Sequence, residues 1–360
     1  MHIPDGYLSP QTCGFFYVVM APIWFKASRA VGRVVKSRNV PLLAIGAAFS
    51  FLVMMFNIPV PDGTTAHAVG ATIIAVVLGP WAAVIAVSIA LLIQALFFGD
   101  GGVLAFGANA FNMAFVLPFV GYAVYRAIAA NTSLSSGRRA LAGGIGGYVG
   151  INAAALCAAI EFGIQPTLFH TANGTPLYAP FHLAQTIPAM MLAHLTVAGF
   201  AEFGATLGVI AYLQRANVPL LKINHANIPV TDEELVRKRM GWRWALIGLG
   251  TMIVLTPIGL LAPGGAFGES TPKALDLSRY HLSAVPAGLN RFSSFWSHAV
   301  LGGYGFHNGD HRVIGYLVSA LVGIVFITVF LVAFIWVVRL FTRRRGDDDA
   351  DPGKLPSVST

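Results

Sequence analysis

The chain has 360 residues, of which 56% are hydrophobic and only 11% charged, and its mean hydropathy is +0.70. These values exclude an ordinary soluble domain and predict an all-α integral membrane protein. The net charge of +8 does not indicate nucleic-acid binding, because the Lys and Arg residues cluster in short segments between apolar runs, as in cytoplasmic loops. Cys13 and Cys157 have no metal-type spacing and do not indicate a disulfide framework.

The chain opens Met1-His2, and we expect no leader segment ahead of it. Histidine is too bulky for removal of the initiator methionine, so a free amine is expected on Met1. This amine, the amide nitrogen of His2 and its imidazole are consecutive, so one ion can close two fused chelate rings on them. Four-nitrogen planar coordination is typical of Ni(II) or Cu(II), whereas zinc prefers a tetrahedron and magnesium prefers oxygens. The alternative is a solvated histidine at a frayed terminus.

Long apolar runs predict transmembrane helices. Eight such runs lie at 12–32, 41–60, 69–98, 103–125, 140–160, 185–212, 242–261 and 313–338. Eight crossings would put basic clusters on both sides of the membrane, against the rule that they lie on the cytoplasmic side. The segment Leu78-Gly79-Pro80 is a helix-stop signal that splits the third run in two. The prediction is therefore about nine transmembrane helices, with the N-terminus outside and the C-terminus cytoplasmic.

A turn-rich loop after the second run ends at His67, on the same outer face as Met1. His67 is the predicted fourth nitrogen ligand, and the hydroxyls of Thr64 and Thr65 are candidates to fix its ring by hydrogen bonding. The alternative is a lone structural histidine whose ring is satisfied by hydrogen bonds.

Asn109 and Asn112 lie inside an apolar run, where unsatisfied polar side chains are costly. They serve either helix packing or the positioning of the inserted N-terminus and the His2 ring. The segment 307–311 places two histidines and an aspartate in one outer loop, for which a solvated loop without metal is the favoured interpretation, since Gly309 disfavours a rigid helical pair.

No phosphate-binding loop, nucleophile elbow or His-Glu-x-x-His helix occurs in the sequence. The chain is therefore not predicted to be an enzyme, and no catalytic residue is assigned. Energy for any transport has to come from partner proteins.

Three segments, 1–10, 63–70 and 106–113, resemble the substrate-capture M component of nickel and cobalt energy-coupling-factor (ECF) transporters, and the resemblance covers about residues 1–213. It implies that Met1, His2 and His67 hold Ni²⁺ or Co²⁺ as the transported substrate, with no organic cofactor. It also implies a transmembrane coupling (T) component and a cytoplasmic ABC ATPase dimer as partners, in the cell membrane.

Residues 242–341, notably 256–269, resemble the two-helix N component with its extracytoplasmic loop, fused behind a cytoplasmic linker at 214–241. Residues 342–360 are predicted to be a disordered tail. Nickel is favoured over cobalt because planar nitrogen coordination with a deprotonated amide suits a d⁸ ion. The alternatives are cobalt uptake for cobalamin synthesis, a membrane metal sensor or assembly factor without transport, and a secondary carrier working alone.

Overall fold

A computed structural model describes residues 1–34, 40–60, 64–230, 242–262, 265–306, 309 and 311–348. Among them, the helices are α1 (Pro10–Val34), α2 (Val40–Met54), α3 (Ala71–Leu78), α4 (Pro80–Ile93), α5 (Phe106–Asn109), α6 (Leu117–Ala129), α7 (Gly137–Gly163), α8 (Gln165–Leu168), α9 (Leu183–Ala193), α10 (Gly199–Ala216), α11 (Val218–Lys222), α12 (Trp242–Leu255), α13 (Ala287–Phe292) and α14 (Arg312–Asp348). π-Helical turns at Gln94–Phe98, Ala110–Val116 and His194–Ala198 continue α4, α5 and α9, and short 3₁₀ turns occupy Thr256–Leu261, Pro272–Ala274 and Gly302–Tyr304.

Five helical segments of the described chain are long and apolar enough to cross a membrane. They are Pro80–Phe98, Phe106–Ala129, Gly137–Leu168, Leu183–Ala216 and Arg312–Val338, and the shorter apolar helices are Val40–Met54 and Leu246–Leu261. The protein is thus a helical membrane protein, as predicted.

The predicted break in the third apolar run is confirmed at Gly79. Helix α3 ends at Leu78 and α4 begins at Pro80, and Gly79 between them has φ 94° and ψ 153°. Proline suits the first position of a helix because its missing N–H would have had no partner there. The break makes α3 a short helix whose N-terminus follows directly on the loop that carries His67.

The prediction of a purely helical protein is wrong in one place. Strand β1 (Ile58–Val60) pairs antiparallel with β2 (Thr64–Ala66), with Ile58 opposite Ala66. The second apolar run therefore stops being helical at Met54, because Pro59 cannot continue a helix and its β-branched neighbours favour a strand. This hairpin delivers the chain to His67.

Helix α4 lies at the centre of the bundle and contacts α1, α2, α3 and α14. The C-terminal helix α14 belongs to the same core, since the ring of Phe326 stacks on Phe97 with centroids 4.2 Å apart. The two parts of the chain that the sequence distinguishes therefore pack directly on each other.

The predicted linker and tail are described only in part. Helix α10 continues to Ala216, past the predicted boundary, and Asn224 then donates hydrogen bonds to Ala75 O (3.1 Å) and to Tyr122 Oη (3.0 Å). Residues 231–241 of the linker and 349–360 of the tail lie outside the described residues, and α14 extends into the predicted tail as far as Asp348.

Candidate metal centre

The N-terminal segment is threaded into the bundle. Met1 is 4% exposed, His2 2% and Ile3 0%. The backbone N–H of Ile3 donates to Asn109 Oδ1 (2.8 Å), and Asn109 Nδ2 donates to Ile3 O (3.1 Å). Gly102 N also donates to Ile3 O (2.8 Å). Asn109 thus fixes the inserted N-terminal segment by bonding to both backbone groups of Ile3.

Further hydrogen bonds fix the rest of the N-terminal segment, at Asp5 and Ser9. The Asp5 carboxylate accepts hydrogen bonds from the backbone N–H groups of Val103 (3.2 Å), Leu104 (2.7 Å) and Ala105 (3.3 Å). Ser9 N donates to Gln165 Oε1 (3.0 Å). Sequence reasoning missed Asp5, although its place in a Pro-Asp-Gly turn beside a buried terminus was a usable signal.

The structure brings the rings of His2 and His67 together. Their centroids lie 5.1 Å apart with an interplanar angle of 26°. His67 Nδ1 lies 3.0 Å from Ala68 O, whereas Nε2 of both rings is buried without a hydrogen-bond partner in the described chain. Buried polar atoms are normally satisfied, so the unpartnered Nε2 of His67, next to the His2 ring, marks a place where a ligand could bind.

The electrostatic environment keeps the His67 ring neutral. Burial, together with the charges of the nearby N-terminal amine and His2, holds the pKa of His67 well below its ordinary value of 6.5. The ring is therefore neutral at physiological pH, and only the neutral ring offers a lone pair to a metal ion.

Asp100 contacts the other ring nitrogen of His2, Nδ1. Its Oδ1 lies 3.0 Å from His2 Nδ1, and its Oδ2 accepts hydrogen bonds from Tyr304 Oη (2.5 Å) and Gln94 Nε2 (3.4 Å). Burial acts to raise the pKa of Asp100, but the opposing charge and hydrogen bond of His2 hold that pKa below its usual range. A chelate through the His2 amide must use Nδ1, so closing it exchanges Asp100 for the metal.

Not every predicted site residue is found there. The Thr64 hydroxyl lies 3.5 Å from Gly265 O, and Thr65 is buried in β2, while the His67 ring bonds to its own backbone neighbour. Asn112 donates to Glu161 Oε2 (2.9 Å) and not to the N-terminal segment. It diverges from Asn109 because a π-helical turn, with more residues per turn than an α-helix, begins at residue 110.

Residues 265–306 of the C-terminal part, the predicted outer segment, cover the N-terminal segment. Glu269 Oε1 lies 3.5 Å from the amine nitrogen of Met1, and Tyr7 Oη donates to Ser270 O (2.7 Å). Tyr304, which fixes Asp100, belongs to the same segment. Sequence reasoning gave this segment no place at the site. The outer-loop residues His307 and Asp310 lie outside the described part of the chain.

Side chains alone do not make a metal site here. In the described ranges, no group of three or more His, Cys, Asp or Glu side chains is arranged to hold an ion. The two imidazoles of His2 and His67 are close together, and the other two donors that the sequence predicts are backbone nitrogens, of Met1 and His2.

Comparison with known proteins places this chain in a family. The family described as "Cobalt uptake substrate-specific transmembrane region" matches residues 2–220. The chain is 46% identical, over 96% of its length and 100% of the relative's, to the fused nickel transport protein NikMN of Rhodobacter capsulatus. It is also 46% identical to the probable fused nickel transport protein LarMN of Lactiplantibacillus plantarum, over 90% of this chain and 94% of that protein.

A solved structure supports the same relationship. The crystal structure of a truncated transition metal transporter is 58% identical and has a TM-score of 0.56, covering 59% of this chain and 98% of that one. The N-terminal match and the full-length match to fused proteins agree with the two-part organisation. The chain therefore belongs to the cobalt uptake substrate-specific transmembrane family, as a fused M–N component of the nickel and cobalt type.

Proposed function

We propose that this protein is the substrate-binding membrane subunit of an ECF-type importer of divalent transition metal, with nickel favoured over cobalt. The ligands are the Met1 amine, the amide nitrogen and imidazole of His2, and the imidazole of His67. One observation carries the proposal: a buried N-terminus places the His2 ring against the ring of His67, whose Nε2 is buried without a partner in the described chain.

Capture is coupled to proton loss. The ion displaces protons from the amine and from the His2 amide, so binding tightens as pH rises. Nickel suits the resulting planar nitrogen set best. Cobalt uptake is the second candidate, because the matching family is described by cobalt and several of its members are named cobalt transport proteins.

The membrane arrangement follows from the charge pattern. Nine crossings put Met1 and His67 outside and residues 214–241 in the cytoplasm. They are the five long segments, the shorter apolar helices Val40–Met54 and Leu246–Leu261, and helices α1 and α3. A coupling component and a pair of cytoplasmic ATPases in the cell membrane supply the hydrolysis that releases the ion inside, since the sequence contains no phosphate-binding loop of its own.

Metal analysis of the purified full chain tests the ligand set. Wild type is compared with His2→Ala, with a variant carrying one extra residue ahead of Met1, and with the exposed outer histidine variant His298→Ala as control. We expect wild type and the control to retain nickel after dialysis, and the other two to lose it. Full nickel in the extended protein would show that the amine is not a ligand.

A further inference from the structure

Two carboxylates stand between solvent and the buried nitrogens. The side chain of Asp100 is 20% exposed and that of Glu269 is 21% exposed, whereas Met1, His2 and His67 are each at most 5% exposed. Each carboxylate contacts one proposed donor: Glu269 contacts the Met1 amine, and Asp100 contacts His2 Nδ1. An ion that approaches from solvent therefore meets oxygen before nitrogen.

Charge gives these oxygens a role. Two carboxylates beside a buried site attract a divalent cation to the place where it enters. Carboxylate oxygens also take part of a hydration shell's place without the deprotonation that amine and amide nitrogens require.

We infer that Glu269 and Asp100 form an entry site for the hydrated divalent cation, and that the C-terminal part of the chain supplies half of it. The inference rests on the proposed function and adds a step before the nitrogen site. A cation that replaces the amine as the partner of Glu269, and Nδ1 as the partner of Asp100, arrives beside both nitrogens that it must bind. The ring of His67, whose Nε2 is buried without a partner in the described chain, stacks on the His2 ring at a centroid distance of 5.1 Å and provides the third proposed imidazole or amine donor near these carboxylates.

The hydrogen bonds around Asp100 fit this role. Tyr304 Oη and Gln94 Nε2 both bond its Oδ2, and Gln94 Nε2 also donates to Tyr304 Oη (2.9 Å). Oδ2 is thereby fixed by protein donors, which leaves Oδ1 as the oxygen directed at the His2 ring. The geometry fixes one carboxylate, while Glu269, with its single long contact of 3.5 Å, is the adjustable one.

Association kinetics of the full chain with NiCl₂, measured by rapid mixing at several ionic strengths, test the entry site. Glu269→Gln removes the charge and keeps the shape, and Glu269→Asp restores the charge. Asp276→Asn is the matched control, because Asp276 is an exposed acid on the same outer segment whose Oδ1 is bonded locally to Ser278 Oγ (2.7 Å). We expect Glu269→Gln to lower the association rate about three- to tenfold and to weaken its salt dependence, with dissociation unchanged.

The control and Glu269→Asp should associate within about twofold of wild type. An unchanged association rate with faster dissociation in Glu269→Gln would show that Glu269 only fixes the amine, and would overturn the inference. An equal slowing in Asp276→Asn would also overturn it, since the effect would then be general charge. A wild-type protein that binds no nickel would refute the proposed function itself, which is a separate outcome.

Discussion

Replacing Asn109 by alanine removes the side chain that pairs with both backbone groups of Ile3. The Ile3 carbonyl keeps its bond from Gly102 N, but the Ile3 N–H loses its partner in a fully buried position. An unsatisfied buried donor costs about 1–3 kcal/mol. This cost destabilises the buried position of the N-terminal segment, which contains Met1 and His2. We therefore expect nickel to bind about five- to 150-fold more weakly.

The assay is equilibrium nickel binding to purified protein at fixed pH, with Asn152→Ala as the control. Asn152 is also buried, at 8% exposure, but its Nδ2 donates to Tyr148 O (2.8 Å) within α7 and not to the N-terminal segment. The control should bind nickel like wild type. Wild-type affinity in a folded Asn109→Ala protein, or an equal loss in the control, would refute the claim that Asn109 positions the ligands.

Three further predictions concern stability, each measured by thermal or denaturant unfolding of the purified protein. Tyr304→Phe removes a hydrogen bond to a carboxylate and should cost about 1.5–3 kcal/mol, whereas Tyr316→Phe removes one to the Met55 carbonyl and should cost about 0.5–1.5 kcal/mol. Equal costs would contradict the ionic character of the Asp100 contact. Gly6→Ala should cost about 2 kcal/mol or more, because Gly6 has φ +90° and an added Cβ would lie 2.7 Å from Leu289 O; Gly14→Ala, with nothing within 4 Å, should cost little. Folding lowers the pKa of His67 below 6.5, so the unfolded chain binds more protons than the folded chain at pH values just below 6.5. The free energy of unfolding should therefore fall as the pH drops below about 6.5, and His67→Gln should make this fall less steep. An unchanged pH profile in His67→Gln would contradict a buried neutral ring.

Much of this fold could be predicted from hydropathy and from Gly and Pro positions. The apolar runs gave the helices, and Gly79-Pro80 gave the break that separates α3 from α4. The hairpin at 58–66 was missed because its first strand, Ile58–Val60, lies at the end of an apolar run, and its second strand lies in a stretch that was interpreted as a turn-rich loop. Periodicity cannot separate a short buried strand from the end of a helix.

The site was predictable where chemistry is local and unpredictable where it is tertiary. Met1 and His2 are adjacent, so the proposed chelate could be predicted from the sequence, and His67 was proposed because its loop is predicted to lie on the same side of the membrane. Asp100 and Glu269 could not be found in the same way, because their partners are 98 and 268 residues distant and their contacts depend on how the helices pack. Asn112 illustrates the converse error, since a π-helical turn changes which residues share a face.

A metal site with backbone donors requires the fold to hold the main chain of the ligand segment in place. Side-chain ligands can be positioned by rotamers, whereas a terminal amine and a main-chain amide can be positioned only by fixing the chain itself. This explains why the strongest anchors here, Asn109 and Asp5, bond to backbone groups and not to His2 or His67. If the proposed ligand set is correct, the same rigidity favours nickel, because a fixed amine–amide–imidazole arrangement imposes a plane and disfavours ions that need a tetrahedron or oxygen ligands.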